Sequence, residues 1–449
     1  MTDLNRGRSA AGAFIVVTSL FFAFGFITSL VDPLVAAVKG IFSLSNLEAQ
    51  LSASAFFIAY GVMSFPAAGL VARMRPVKSI LLALVMMIAG CLVMLAAANA
   101  AVYLLVLLGL FVLASGITIL QVAANPLAAA LGDPSRSHFR LTLAQTFNSC
   151  GTFIGPILGA HLFLEGVEVK EGAALDPAIR ANALAGIDTA YFWITGLILA
   201  LTIFFFLSRK VVNDAIPPAQ GSGRGVGAIV SDALSSRWTL LGGAAIFLYV
   251  GAEVAIGTQM ALLLNANSVW GLTDAPFSLP IFGQVMASDG VPGVSLQEAG
   301  KAVGLYWGGA MIGRLIGSFL LTRIAATRLL ALFTAIACAM CVYVFAVGGV
   351  SAGFVAIALG LFNSIMFPLI FTLTLERGTS SEEATSGFLC FAIVGGAAIP
   401  PLVGLLSDAT AYMTAFIIPA ICYALLCGFA LAAARAVVGR RAAAGAMGH

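Results

Sequence analysis

Residues 329–347 read LLALFTAIACAMCVYVFAV, an apolar run without one charged side chain. A helix rises about 1.5 Å per residue, so a run of this length nearly matches the ~30 Å hydrocarbon core of a bilayer. Helices in soluble cores seldom stay apolar for so long. Lipid offers peptide groups no hydrogen-bond partner, which favours a spanning helix over open strands. Comparable blocks run from Phe14 to Val38 and from Leu240 to Leu264. Of the 449 residues, 61% are hydrophobic and 9% charged, and the mean hydropathy is +1.06. Soluble domains carry about 25% charged residues. Too few charges remain here to build a water-facing surface, and the short alternating segments of a membrane β-barrel are missing.

Working outward from these blocks gives twelve expected spans, at 14–38, 50–73, 78–98, 101–130, 140–164, 186–208, 238–265, 300–322, 328–348, 352–375, 384–406 and 411–435. The loops between them sort by charge. One side receives Arg6 and Arg8; Arg73, Arg75 and Lys78; Arg136 and Arg140; Arg209, Lys210, Arg224 and Arg237; Arg323 and Arg328; and Arg435, Arg440 and Arg441. The other side is poor in bases, and its loop from Glu165 to Asp188 carries five acids against Lys170 and Arg180. Short loops rich in Lys and Arg stay cytoplasmic. Both termini are therefore expected inside, which requires an even number of spans. Arg6 and Arg8 precede an apolar stretch longer than the 7–15 residues or so of a signal-peptide core, so it reads as a retained first span.

The longest cytoplasmic break, 209–237, contains Pro217-Pro218 and Gly221-Ser222-Gly223, a linker composition. It separates an expected six-helix bundle at 1–208 from a second at 238–449. The fifth span reads Gly151-x-x-x-Gly155-Pro156-x-x-Gly159, and the eleventh reads Gly396-x-x-x-Pro400-Pro401-x-x-Gly404, an offset of 245. Tyr60 and Tyr306 sit at an offset of 246. The expected fold is an all-α membrane protein of twelve transmembrane helices in two six-helix repeats, and in such parallel repeats the substrate is held at mid-membrane.

The net charge of +3 is small and points to no nucleic-acid partner. All seven cysteines lie in or at the ends of apolar segments, and Cys338-x-x-Cys341 is surrounded by Ala, Met and Val. With three histidines in all, no metal site and no cofactor is expected. No GxxxxGK[ST] stretch is present for nucleotide, and no HExxH cluster for an intramembrane protease. Loops this short leave no room for a receptor's soluble domain.

Ionisable groups inside a bilayer cost at least about 2.5–3.5 kcal/mol and usually mark a pathway or a site. Asp32 in the first span and Glu253 in the seventh qualify, and they occupy the first helix of each half. Either is a candidate for loading a proton or helping to coordinate sodium. Structural pairing between helices is the alternative. Gln121 and Asn125 are four apart on the fourth span, just before Pro126; Gln145 and Asn148 are three apart on the fifth, with Thr152 one further turn on. Such spacings share a helix face. Each amide offers a donor and an acceptor, which suits solute hydroxyls, though amides also bridge helices. Asn363, ahead of Pro368 on the tenth span, is the remaining candidate. Phe147, Tyr306 and Trp307 offer aromatic faces, and Arg314 is expected to pair with an acid or a helix C-terminus.

Residues 114–126, ASGITILQVAANP, and 138–149, HFRLTLAQTFNS, resemble the fourth- and fifth-helix signatures of the fucose/galactose/glucose symporter family of the major facilitator superfamily. Residues 249–257, YVGAEVAIG, 306–314, YWGGAMIGR, and 360–368, GLFNSIMFP, resemble its glucose/galactose branch. The likeness spans nearly the whole chain. It implies symport of a monosaccharide with a proton or, in some relatives, sodium, by a carrier of the bacterial cytoplasmic membrane for which a monomer suffices. By the same resemblance Asp32 matches the coupling acid, and Gln145 and Asn148 match amides that contact sugar in fucose carriers. Three positions depart from the pattern. Gln121 stands where fucose carriers have glutamate; Val31 and Pro33 flank Asp32 in place of Asn and an aliphatic residue; and the loop from Gly69 to Lys78 has Ala72 where the superfamily motif has an acid. The expected function is cation-coupled hexose uptake. An amino-sugar such as N-acetylglucosamine is the alternative cargo.

Overall fold

The computed structural model describes residues 3–31, 34, 38, 41–44, 46–163, 177–216, 225–271, 277–279, 283–285, 294 and 296–436. Among these, ten stretches are long and apolar enough to cross a bilayer. One of them, Ser54–Ala100, would rise about 70 Å as a straight helix, more than twice the bilayer core. It lies in the helix Asn46–Ala100 and breaks at Arg75, whose φ of 66° and ψ of 157° are not helical. Pro76 follows, and a proline ring disfavours helical geometry in the residue before it. The break makes two crossings of one stretch. The 27-residue helix Ser137–Phe163 adds another, more polar because it carries Arg140, Gln145 and Asn148. Ten stretches, one more from the break and one from Ser137–Phe163 make twelve.

Several elements differ from expectation. The sixth span belongs to a 39-residue helix, Pro177–Ala215, so Asp188 sits on a helix and not in an acidic loop. There its Oδ1 accepts from Asn99 Nδ2 at 2.7 Å. The stretch read as a linker holds a helix, Val226–Ser235. Between the seventh and eighth spans a short antiparallel hairpin pairs Phe277–Leu279 with Gly283–Val285. The tenth span is two helices, Gly349–Asn363 and Met366–Arg377. The eleventh is Glu382–Phe391, a 3-10 turn at Ala392–Val394, then Gly395–Ala409.

Prolines explain the break in the tenth span. Pro368 has no N–H to give the carbonyl four residues back, which is that of Ser364. Arg314 Nε donates to that oxygen at 2.7 Å. In the fourth span Pro126 likewise releases the carbonyl of Val122, and Ser386 Oγ donates to it at 3.0 Å. Each freed acceptor is met by a donor from another helix.

The chain forms two compact units, Met1–Leu240 with Gly378–Phe391, and Leu241–Arg377 with Ala392–His449. In the first, the first and fifth spans approach so closely that a Cβ on Gly151 would lie 2.6 Å from Phe26 N. In the second, the seventh and eleventh spans meet the same way, with a Cβ on Gly395 only 2.8 Å from Phe247 Cα. No side chain fits at either place. Gly151→Ala is therefore expected to cost about 1–3 kcal/mol by overpacking and to lower the thermal unfolding midpoint in detergent. Gly196→Ala, whose Cβ would meet nothing within 4 Å, should leave that midpoint unchanged or raise it.

Candidate functional site

In the first unit the fourth span, Tyr103–Ala130, is buried over its second half and presents Gln121 and Asn125 one turn apart. Gln121 Nε2 donates to Tyr60 Oη at 2.7 Å. Asn125 Oδ1 accepts from Gln145 Nε2 at 3.3 Å, while Asn125 Nδ2 is buried with no partner among the described residues. Buried polar groups are nearly always satisfied, so Asn125 keeps a donor in reserve. Asn148, half-buried, donates through Nδ2 to the Phe21 carbonyl at 3.2 Å and so tethers the fifth span to the first. Thr152 turns back on its own helix and donates to the Asn148 carbonyl at 3.1 Å. Three of the four amides of the first half are thus joined or adjacent, and Asn148 also carries a helix contact. Phe147 is exposed. Asp32 lies outside the described residues.

The second unit repeats the amide–tyrosine pair. Asn363 Nδ2 donates to Tyr306 Oη at 2.7 Å, as Gln121 does to Tyr60. Tyr306 Oη in turn donates to the Glu253 carbonyl at 3.2 Å. That bond uses the hydroxyl proton, which leaves the phenol oxygen to accept from Asn363. The Glu253 carboxylate accepts from Tyr249 Oη at 2.6 Å, and Arg314 Nη2 lies 3.9 Å from the same oxygen. Both side chains of this acid–base pair are largely buried, at 12% and 9% exposure. Arg314 therefore serves two needs, the loose carbonyl of Ser364 and the charge of Glu253. Tyr423 Oη is buried beside the Asn363 amide. Tyr306 stacks edge-on to Trp307, with centroids 5.0 Å apart.

Glu253 and Asn363, separate candidates in sequence, are joined through Tyr306. Arg314 meets both an acid and a helix end, as its type suggested. Tyr249, Tyr423 and the partnership of Tyr60 with Gln121 were not anticipated. The matched offset of Tyr60 and Tyr306 was the one available signal for the Tyr60 partnership. Among the described residues no group of three or more His, Cys, Asp or Glu is placed to hold a metal.

Residues 17–386 match the Major Facilitator Superfamily. The chain is 37% identical over 434 residues to a protein named glucose/galactose transporter from Brucella abortus biovar 1 (strain 9-941), covering 96% of each chain. It is 31% identical over 444 residues to an L-fucose-proton symporter of Escherichia coli (strain K12), covering 95% of this chain and 94% of that one. The crystal structure of a major facilitator superfamily transporter, FucP, in the outward conformation aligns with a TM-score of 0.78 at 29% identity, over 95% of this chain and 99% of that one.

Removing one member of a buried ion pair leaves the other uncompensated, a cost of roughly 3–5 kcal/mol. Arg314→Met is expected to show a loss of about that size in chemical unfolding, and adding Glu253→Gln should return most of it. Simple additivity of the two single losses would show that the 3.9 Å contact carries no coupling.

Proposed function

The chain belongs to the major facilitator superfamily, and on that premise we propose that it is a secondary active transporter carrying a hexose into the cell with a proton. It is a multi-pass membrane protein and a transporter, not an enzyme. The observation that carries the reading is the buried amide pair Asn125–Gln145, with Gln121 one turn away and bonded to Tyr60, on two adjacent spans of a chain similar over nearly its whole length to a protein named glucose/galactose transporter. Amides paired with each other or with a phenol in the resting protein can exchange those bonds for sugar hydroxyls at little net cost, since hydrogen bonds are traded and not lost. Asn148 and Asn363 extend the sugar-binding set.

Asp32 is assigned the ion-loading role, with Glu253 the second candidate. The proton is preferred to sodium because two of the similar proteins are named L-fucose-proton symporters. The similar bacterial transporters support a cytoplasmic membrane, the asymmetry of Lys and Arg between the loops supports both termini inside, and a monomer suffices for this architecture. Purified or expressed protein should take up labelled glucose or galactose, and dissipating the proton gradient alone should stop accumulation. A panel that includes N-acetylglucosamine and fucose, run with the sodium gradient collapsed separately, distinguishes the other cargoes and the other ion. Absence of flux for every sugar under every gradient sinks the proposal.

Asp32→Asn is expected to abolish uphill accumulation while sparing sugar exchange between equilibrated compartments. Unchanged gradient-driven uptake would remove it from coupling. Gln145→Ala is expected to weaken sugar binding by about 1–3 kcal/mol, the cost of an unpaired buried hydroxyl, read as a rise in the half-saturation concentration for uptake.

A further inference from the structure

One buried hydroxyl of the first unit breaks the habit of its neighbours. On the fourth and fifth spans Ser115, Thr118, Thr146 and Thr152 each donate to the carbonyl four residues earlier on their own helix. Thr142 does not. It is fully buried, and its Oγ1 has no partner among the described residues. An unpaired hydroxyl in a dry interior costs stability, so its retention calls for a partner that arrives from outside the chain.

The register of the two helices shows what lies opposite. They run antiparallel, joined by a turn in which Gly132 takes a φ of 118°. Arg140 donates through Nη2 to the Ala129 carbonyl, and five residues on Gln145 Nε2 donates to Asn125 Oδ1 at 3.3 Å. Thr142 stands between these two contacts on the fifth span, so it falls opposite the turn from Asn125 to Ala129 on the fourth. The residue of that turn which shares a face with Asn125 is Ala128, fully buried and carrying only a methyl. Thr142 is likewise three residues from Gln145, on the same side of its own helix. Asn125 Nδ2 is the other unpartnered atom of this contact. A spare donor and a spare hydroxyl thus come from facing helices, one turn apart.

We propose that Thr142 is a further sugar-contacting residue, and that one solute hydroxyl accepts from Asn125 Nδ2 while donating to Thr142 Oγ1. This rests on the proposed sugar transport. A hydroxyl suits both atoms because it carries one proton and two lone pairs. Access comes through Gln145. Its bond to Asn125 is longer than the usual range for an N–H donor, so it is a weak closure for a solute to displace. A bridging water has the same chemistry, but it would hold the two atoms in the sugar-free protein as well, and stability without sugar tells the two sources apart.

The test uses the full-length protein and Thr142→Val, which keeps the shape and removes the hydroxyl. Without sugar, its thermal unfolding midpoint in detergent should equal or exceed that of the unmodified protein, because an unpaired polar group gives way to an apolar one. The half-saturation concentration for uptake should rise about tenfold, the worth of one hydrogen bond, at an unchanged maximal rate. Thr142→Ser retains the hydroxyl and should keep the unmodified half-saturation concentration. Thr142→Ala replaces the valine variant in the uptake arm if that one folds poorly. In a second arm, monodeoxy analogues of the transported sugar are compared. At one ring position, loss of the hydroxyl should weaken half-saturation about tenfold in the unmodified protein and hardly at all in Thr142→Val. A lowered midpoint with unchanged half-saturation would give the hydroxyl a bridging water and overturn the inference. Equal deoxy penalties in both proteins at every position would overturn it too. Should the unmodified protein carry no sugar, the transport reading falls first; should it carry sugar while the valine variant performs alike, only the role of Thr142 falls.

Discussion

A peptide carbonyl inside a bilayer has no water to turn to, and much of this structure follows from that. A proline in a spanning helix removes one N–H and leaves the carbonyl four residues earlier without its partner. The fourth and tenth spans each contain such a proline in their buried portion. Ser386 serves the carbonyl that Pro126 releases, and Arg314 serves the one that Pro368 releases. The two donors differ in kind. A serine hydroxyl brings no charge, whereas a guanidinium has to be neutralised, and Glu253, itself held by Tyr249, does so. The buried acid of the seventh span is thereby tied to a backbone defect of the tenth.

The two halves share more than helix number. Gln121 and Asn363 are 242 residues apart, as are Pro126 and Pro368. In both halves the amide that precedes the proline donates at 2.7 Å to a tyrosine on the second helix of its own half. In both, a glycine on the fifth helix lets the first helix of that half come within backbone contact. An amide and a phenol matched twice at one distance make common descent of the halves a simpler account than independent packing. Where Asn125 stands in the first half, Phe367 stands in the second. The extra amide, the one with an unpartnered donor, is therefore a property of the first half alone.

Apolar length was enough to count the spans, because the bilayer imposes it on any helix that crosses. Their ends were less legible. The sixth helix extends well beyond its apolar centre at 186–208, since exposed polar turns continue a helix without leaving a hydropathy signal. The helix Val226–Ser235 was hidden by its short length beside a Pro- and Gly-rich stretch. The candidate site was proposed from residue types, namely amides at helical spacing and acids in apolar runs. Its partnerships were not. Nothing in the spacing of Glu253 and Arg314, 61 positions apart, announces a 3.9 Å contact, and Tyr60 reads as core until Gln121 is placed beside it.

The partnership also bears on how charge moves. Glu253 and Arg314 together are neutral, so a cation arriving at Glu253 would leave that buried pair with a net positive charge in a medium that penalises it. Asp32 is different in sequence: no Lys or Arg occurs within 14–38, so a cation arriving there would cancel a charge instead of creating one. On the proposed roles, coupling at an acid with no base in its own span would lower the electrostatic cost of the loaded carrier, and coupling at the paired Glu253 would raise it. On that balance the acid of the first half suits a site that changes occupancy, and the acid of the second half suits one that does not. On the proposed roles, the reserve donor of Asn125 and the carboxyl of Asp32 belong to the same half of the sequence, so solute recognition and ion loading would share that half.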